Sequence, residues 1–175
     1  MARDLVAQLR DCELCRRLAP QELEALAAIA ERLELPVGGR LFDEGDPGDG
    51  LYLLLSGEIE VSKRARPLAR LGAGSVLGEI SLLTSEPRSA SVRAIAPTVA
   101  LRLPAARFAA LLAAGSEAAL KIVAALAEVL ARRLAATSAT LVALSERLEE
   151  TGGDDPNAKD EKLVELHRAL QVWSF

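Results

Sequence analysis

Residues 76–92 read VLGEISLLTSEPRSASV, and they hold the ingredients of an anion site. Gly78 lets the backbone approach a ligand with no Cβ in the way. The segment Glu79 to Leu83 is long enough for about one helical turn, whose first amides lack intrahelical partners and point at an anion. Arg88 adds a permanently charged planar fork suited to phosphate oxygens. Glu79 is out of place beside a bare phosphate, because its carboxylate would repel the anion. It fits a ligand that also offers a hydroxyl donor, such as a ribose 2′-OH. The plainer alternative is a surface turn in which Glu79 and Arg88 pair with each other, an exposed arrangement worth about 0 to 1 kcal/mol.

Outward from this stretch, residues 33–103 form short apolar runs punctuated by Gly, Pro and Asp: Leu41-Phe42, Leu51 to Leu55, Ile59 to Val61, Leu68 to Leu71, Ser91 to Ile95 and Val99 to Leu103. Strands this short, with turn signals between them, predict a β-barrel or jelly roll. Glu44-Gly45-Asp46-Pro47-Gly48-Asp49-Gly50 reads as a tight loop and, on its composition, as a connector without ligand contact.

The flanks are helical. Apolar residues recur three and four apart from Leu5 to about Arg32, and Pro20-Gln21-Glu22 mark a helix start, so two helices are expected to meet near Ala19. After Pro104 the composition favours helix. A short one is expected to about Ala113 and a long one from about Ser116 to Glu150. Leu120, Ala127, Leu134, Leu141 and Leu148 fall seven apart, as do Val123, Leu130, Thr137 and Leu144. Such a seam pairs with another helix, most simply its own copy in a parallel dimer, or else packs on the barrel. Thr151 to Asn157 reads as a polar break, with a last short helix from Lys159 to about Val172. The expected organisation is therefore 1–115 for an α+β, mainly β, domain with N-terminal helices, 116–150 for a long C-terminal dimerisation helix, and 151–175 for a linker and terminal helix.

Bulk properties narrow the function. The 175 residues, half of them apolar, suit one proper core. A net charge of −4 argues against a nucleic-acid surface. No apolar run is long enough to span a bilayer and the first residues do not form a signal peptide, so a soluble, cytoplasmic protein without a membrane partner is expected. Cys12 and Cys15 form a CxxC with no second pair and only the distant His167, which argues against a metal site. The two thiols read as small hydrophobes on the apolar face with Leu9 and Leu18, the alternative being a regulatory disulfide.

The stretch around Gly78-Glu79 and Arg88-Ser89 resembles the phosphate-binding cassette of the cyclic-nucleotide-binding domain family, which includes bacterial catabolite activators and the regulatory subunits of protein kinase A. The resemblance covers roughly residues 10–145, and Phe42-Asp43-Glu44-Gly45-Asp46, Leu51 to Leu55 and Ser56-Gly57 are similar to the family's first strands. It implies that Glu79 accepts from the ribose 2′-OH and Arg88 holds the cyclic phosphate. It implies too that amides near Ile80, Ser81, Ser89 and Ala90, with the Ser89 hydroxyl, complete the cradle, while Val61 and Leu68 form an apolar wall near the base. Arg132 to Ser138 resembles the part of the activators' dimerisation helix where adjacent Thr and Ser meet the adenine amino group. Thr137 and Ser138 are thus implied base contacts, although a Thr hydroxyl inside a helix also bonds its own helix carbonyl.

The sequence departs from the activators in showing no winged helix-turn-helix after the long helix. The expectation is a cyclic-nucleotide sensor for cyclic AMP, with cyclic GMP as the alternative ligand. It would act as a homodimer through Leu120 to Leu148 and signal to an unidentified protein partner by a ligand-induced change. The rival is a structural module of the same fold that assembles through the long helix without being switched. No cofactor and no catalytic residue are expected, since hydrolysis of a cyclic phosphate needs a metal or a positioned base.

Overall fold

A computed structural model describes residues 2–150, so the expected break at Thr151 to Asn157 and the terminal helix lie outside the described residues. In order, the elements are α1 (Ala2–Asp11), a 3-10 turn (Glu13–Cys15), α2 (Pro20–Ala27), β1 (Glu31–Leu35), β2 (Arg40–Phe42), β3 (Gly50–Ser56), β4 (Glu58–Lys63), β5 (Arg66–Gly72), β6 (Val76–Leu77), α3 (Glu79–Thr84), β7 (Ser91–Ala94), β8 (Thr98–Pro104), α4 (Ala105–Ala113) and α5 (Glu117–Glu150). The two compact units divide within α5, the first ending at Ala127 and the second beginning at Glu128.

The period-2 alternation of two strands explains the layering of the first unit. In β3, Leu51 and Leu53 point into one apolar cluster while Tyr52 and Leu54 point into another. β8 does the same with Leu101 and Leu103 against Ala100. These strands are therefore buried on both faces, which is why Leu51 to Leu55 reads as an unbroken apolar run rather than an alternating one. One cluster is closed by α1, α2, α4 and the first turns of α5, through Leu9, Leu23, Leu26, Phe108, Ala118, Ala119, Ile122 and Leu126. The other is closed by a second sheet, through Phe42, Ile59, Val61, Leu68 and Val92.

The sheets run β1-β8-β3-β6 and β2-β7-β4-β5, with all pairings antiparallel. They face each other as an open jelly roll, which corrects the expectation of a barrel. Helical residues outnumber strand residues, chiefly because α5 alone has 34, so α+β describes the chain better than mainly β.

The second helix starts at Pro20 as expected, with Glu22 Oε2 accepting from the Ala19 N–H at 2.6 Å, but the first ends at Asp11 and the 3-10 turn separates the two, so they do not meet near Ala19. Two strands escaped the sequence reading. Glu31–Leu35 alternates in burial but directly follows the helical periodicity that extends to about Arg32, which masks its start, and Val76–Leu77 is too short to show a period. Cys12 and Cys15 are buried free thiols in the helical cluster. Burial, with help from Cys12, pushes the Cys15 thiol up to about 12, and burial with the charge of Asp11 raises Cys12. They act as small hydrophobes, and a thiol with a raised pKa is a poor nucleophile.

Among the described residues no single helix is long and apolar enough to cross a membrane. In α5, Ala118, Ala119, Ile122 and Leu126 face the core, while Leu120 is 55% exposed and Leu134 68% exposed. Leu120 thus lies on a different face of α5 from Ala118, Ala119, Ile122 and Leu126.

Two outcomes are expected. Phe108→Ala should cost about 3–5 kcal/mol in urea unfolding, as for other fully buried aromatic truncations. Native Cys12 and Cys15 should react with iodoacetamide at pH 8 at least about a hundredfold more slowly than in denaturant; comparable rates would contradict the burial.

Candidate functional site

The segment that follows β6 is shaped by Gly78. Its φ of 77° and ψ of 13° place it in the left-handed region at the N-cap of α3, where a side chain is strained. A Cβ there would collide with Arg88 Nη1 and stand 2.9 Å from both Arg88 Cζ and Gly50 O. Glycine is required twice over, for the turn and for the guanidinium lying against it. Glu79 opens α3 and is 1% exposed, a carboxylate at the positive end of the turn. Ile80 and Ser81 complete the first turn, with Ser81 buried beneath the loop that precedes β3. A Cβ on Gly48 would approach Ser81 Cβ to 2.5 Å, so this loop passes directly over the helix.

Arg88 is the centre of the arrangement. Its side chain is only 1% exposed. The guanidinium carbon lies 4.2 Å from the ring centroid of Phe42 and 5.4 Å from that of Tyr52, an aromatic seat that stabilises a desolvated cation. Nη2 donates to Asp49 Oδ1 at 2.6 Å and to the Gly50 carbonyl at 2.7 Å. Nε and Nη1 are buried with no hydrogen-bond partner among the described residues. Both hydrogens of Nη2 are therefore committed to the protein, while Nε and Nη1 remain charged donors without a partner inside the core.

Sequence reasoning missed Asp49. The loop from Glu44 to Gly50 is more than a connector: Gly45 N donates to Arg88 O and Arg88 N to Asp46 O, both at 2.8 Å, while Glu44 N donates to Ser91 Oγ at 2.9 Å. Asp49 also accepts from Tyr52 Oη at 2.7 Å and Arg102 Nη1 at 2.9 Å. Burial pushes its carboxyl upward, but the hydrogen bonds from Tyr52, Arg88 and Arg102 prevail and hold it below the usual aspartate range. The Tyr52 hydroxyl is pushed up to about 12 by burial and by Asp49. The available signal was an acidic residue three positions before the aromatic of a buried strand, too common a pattern to stand out.

The other expected residues divide by unit. Ser89 is half-buried and Ala90 buried, directly after Arg88. Ala90 shares the inter-sheet cluster with Val61, Leu68, Phe42 and Tyr52, so the apolar wall and the arginine seat are parts of one core. Val61 sits opposite Val92 in the β4–β7 ladder. Thr137 and Ser138 belong to the second unit. Thr137 is buried and donates to its own helix carbonyl, Arg133 O, at 3.1 Å, which is the local alternative the sequence left open; Ser138 is exposed.

Residues 32–114 match the family model for the cyclic nucleotide-binding domain. The chain is 39% identical over 90 residues to a cAMP-dependent protein kinase regulatory subunit of Emericella nidulans, covering 50% of this chain and 22% of that protein. It is 36% identical over 100 residues to the cyclic AMP receptor protein of Thermus thermophilus, covering 54% and 46%. The chain thus spans less than half the length of these curated relatives. The crystal structure of the Thermus thermophilus catabolite activator protein superposes with a TM-score of 0.64 at 35% identity, covering 75% of this chain and 62% of that one. The left-handed Gly78 and the seated Arg88 lie inside the matched segment, and residues 32–114 belong to the cyclic nucleotide-binding domain family.

Proposed function

We propose that this chain is a cyclic AMP sensor that acts by changing its own conformation, with no catalysis of its own. The observation that carries the reading is the buried Arg88, whose Nη2 is held by Asp49 and Gly50 while its Nε and Nη1 donors have no partner among the described residues. Unpartnered charged donors of this kind are satisfied by an anion such as a cyclic phosphate. Glu79, at the first turn of α3, would accept from a ribose 2′-OH. The names of the similar proteins favour cyclic AMP over cyclic GMP, as does the likeness of Thr137 and Ser138 to an adenine contact. Binding would order the segment from Gly78 to Ser91 and shift the population of states presented to an unidentified protein partner.

A homodimer is part of the reading. Leu120 and Leu134, seven-residue multiples apart on one row of α5, are exposed, and a second copy of α5 would cover them. The same exposed row supports the rival reading, an assembly module that keeps the fold without responding to ligand. The two differ in whether ligand binds.

Calorimetric titration with cyclic AMP separates them, because a folded protein that gives no heat at sub-millimolar ligand excludes the sensor. Arg88→Ala should weaken binding by about 10- to 150-fold, the value of charge-assisted hydrogen bonds. Glu79→Ala should weaken it by about tenfold, and 2′-deoxy cyclic AMP should lose a similar factor against the wild type and nothing further against Glu79→Ala. Leu134→Glu should convert a dimer to a monomer in sedimentation equilibrium, whereas an unchanged mass would remove this row from the interface.

A further inference from the structure

Beyond Arg88 and Asp49, an ionic chain continues across the first sheet. Arg102 Nη1 donates to Asp49 Oδ2 at 2.9 Å, while its Nε and Nη2 donate to Glu31 Oε2 at 3.0 and 2.5 Å. Glu31 Oε1 lies 3.2 Å from Arg107 Nη1 in the first turn of α4. The row is built by strand register, since Arg102 on β8 stands opposite Glu31 on β1 and opposite Tyr52 on β3. Tyr52 in turn donates to the same Asp49 oxygen as Arg102, at 2.7 Å. Asp49 is thus gripped on Oδ2 from two directions and presents Oδ1 to Arg88.

A carboxylate bonded to an anion-binding arginine has two opposing effects. It orients the fork, but it also cancels the charge that attracts the anion. Arg102 resolves the conflict. Arg88, Arg102 and Arg107 face Asp49 and Glu31 along this chain, leaving a net positive charge, whereas Arg88 with Asp49 alone would be neutral. Glu31 in turn holds Arg102 through two of its nitrogens and keeps it from swinging into solvent.

We propose that Arg102, held by Glu31, is a positioning residue of the phosphate site, locking Asp49 onto Arg88 Nη2 so that the Nε and Nη1 donors stay uncommitted while this ionic chain keeps its net positive charge. This deepens the cyclic-nucleotide reading and rests on it. The role requires no contact between Arg102 and the ligand, so its effect must pass through Arg88. A residue that only stabilises the sheet would not obey that condition.

The test is a double-mutant cycle on the full chain, read by calorimetry with cyclic AMP and checked by melting temperature. Arg102→Met should weaken binding by about 5- to 10-fold in the wild-type background and by less than about 1.5-fold in Arg88→Ala, as expected when two residues act through one contact. Arg102→Lys should restore part of the loss, having the charge but not the fork. Glu31→Gln should weaken binding in the same direction and carries the cycle if Arg102→Met fails to fold. Losses that multiply in the double variant, or an Arg102→Met protein that binds like the wild type, would overturn the positioning role and leave the sensor reading intact. A wild-type protein that binds no cyclic nucleotide would overturn both.

Discussion

Removing a guanidinium from water costs several kcal/mol unless charge and hydrogen-bond partners accompany it, and Arg88 is almost entirely buried. Much of the surrounding structure follows from that requirement. Phe42 and Tyr52 supply ring faces, Asp49 a counter-charge and Gly50 a carbonyl. Gly78 must lack a side chain because the guanidinium occupies the space that a Cβ would take. The loop from Glu44 to Gly50 is tied to Arg88 through its backbone as well. A buried charge supported in this way is a fixed electrostatic feature of the core.

The framework that holds these parts is the central sheet, with β3 and β8 apolar on both faces. The inter-sheet core supplies the arginine seat and also holds Val61 and Leu68, while the helical core behind it carries Phe108 and the start of α5. Glu31, Arg102 and Tyr52 cross this sheet in one row, so the polar chain and the two cores share the same strands. Asp49, from the loop before β3, joins that row to Arg88. Arg107, at the start of α4, joins it to the helices. Arg88 and the start of α4 are therefore linked by a continuous row of ion pairs.

Most of the strands, both N-terminal helices and the long helix were legible in the sequence because each carries a local signal. Periodicity marks the helices, β-rich runs between turn residues mark the strands, and Pro20 marks a start. The strand Glu31–Leu35 was not legible, since its burial depends on pairing with β8 and its charged residues serve partners distant in sequence. The difference between a closed barrel and two facing sheets was equally hidden, because it lies in which strands pair rather than in the strands themselves.

For the site, the sequence by itself determined the chemistry of residues 76–92: a glycine able to turn left-handed, a carboxylate and first-turn amides beside it, and an arginine fork nearby. These are properties of residue type at short spacing. Only the tertiary structure decided what seats the arginine. Asp49 stands 39 positions from Arg88 and Glu31 stands 71 from Arg102; strand pairing brings them together, and no local pattern encodes it. The same holds for Gly78, whose need for a missing Cβ arises as much from the packed Arg88 as from its own backbone torsion.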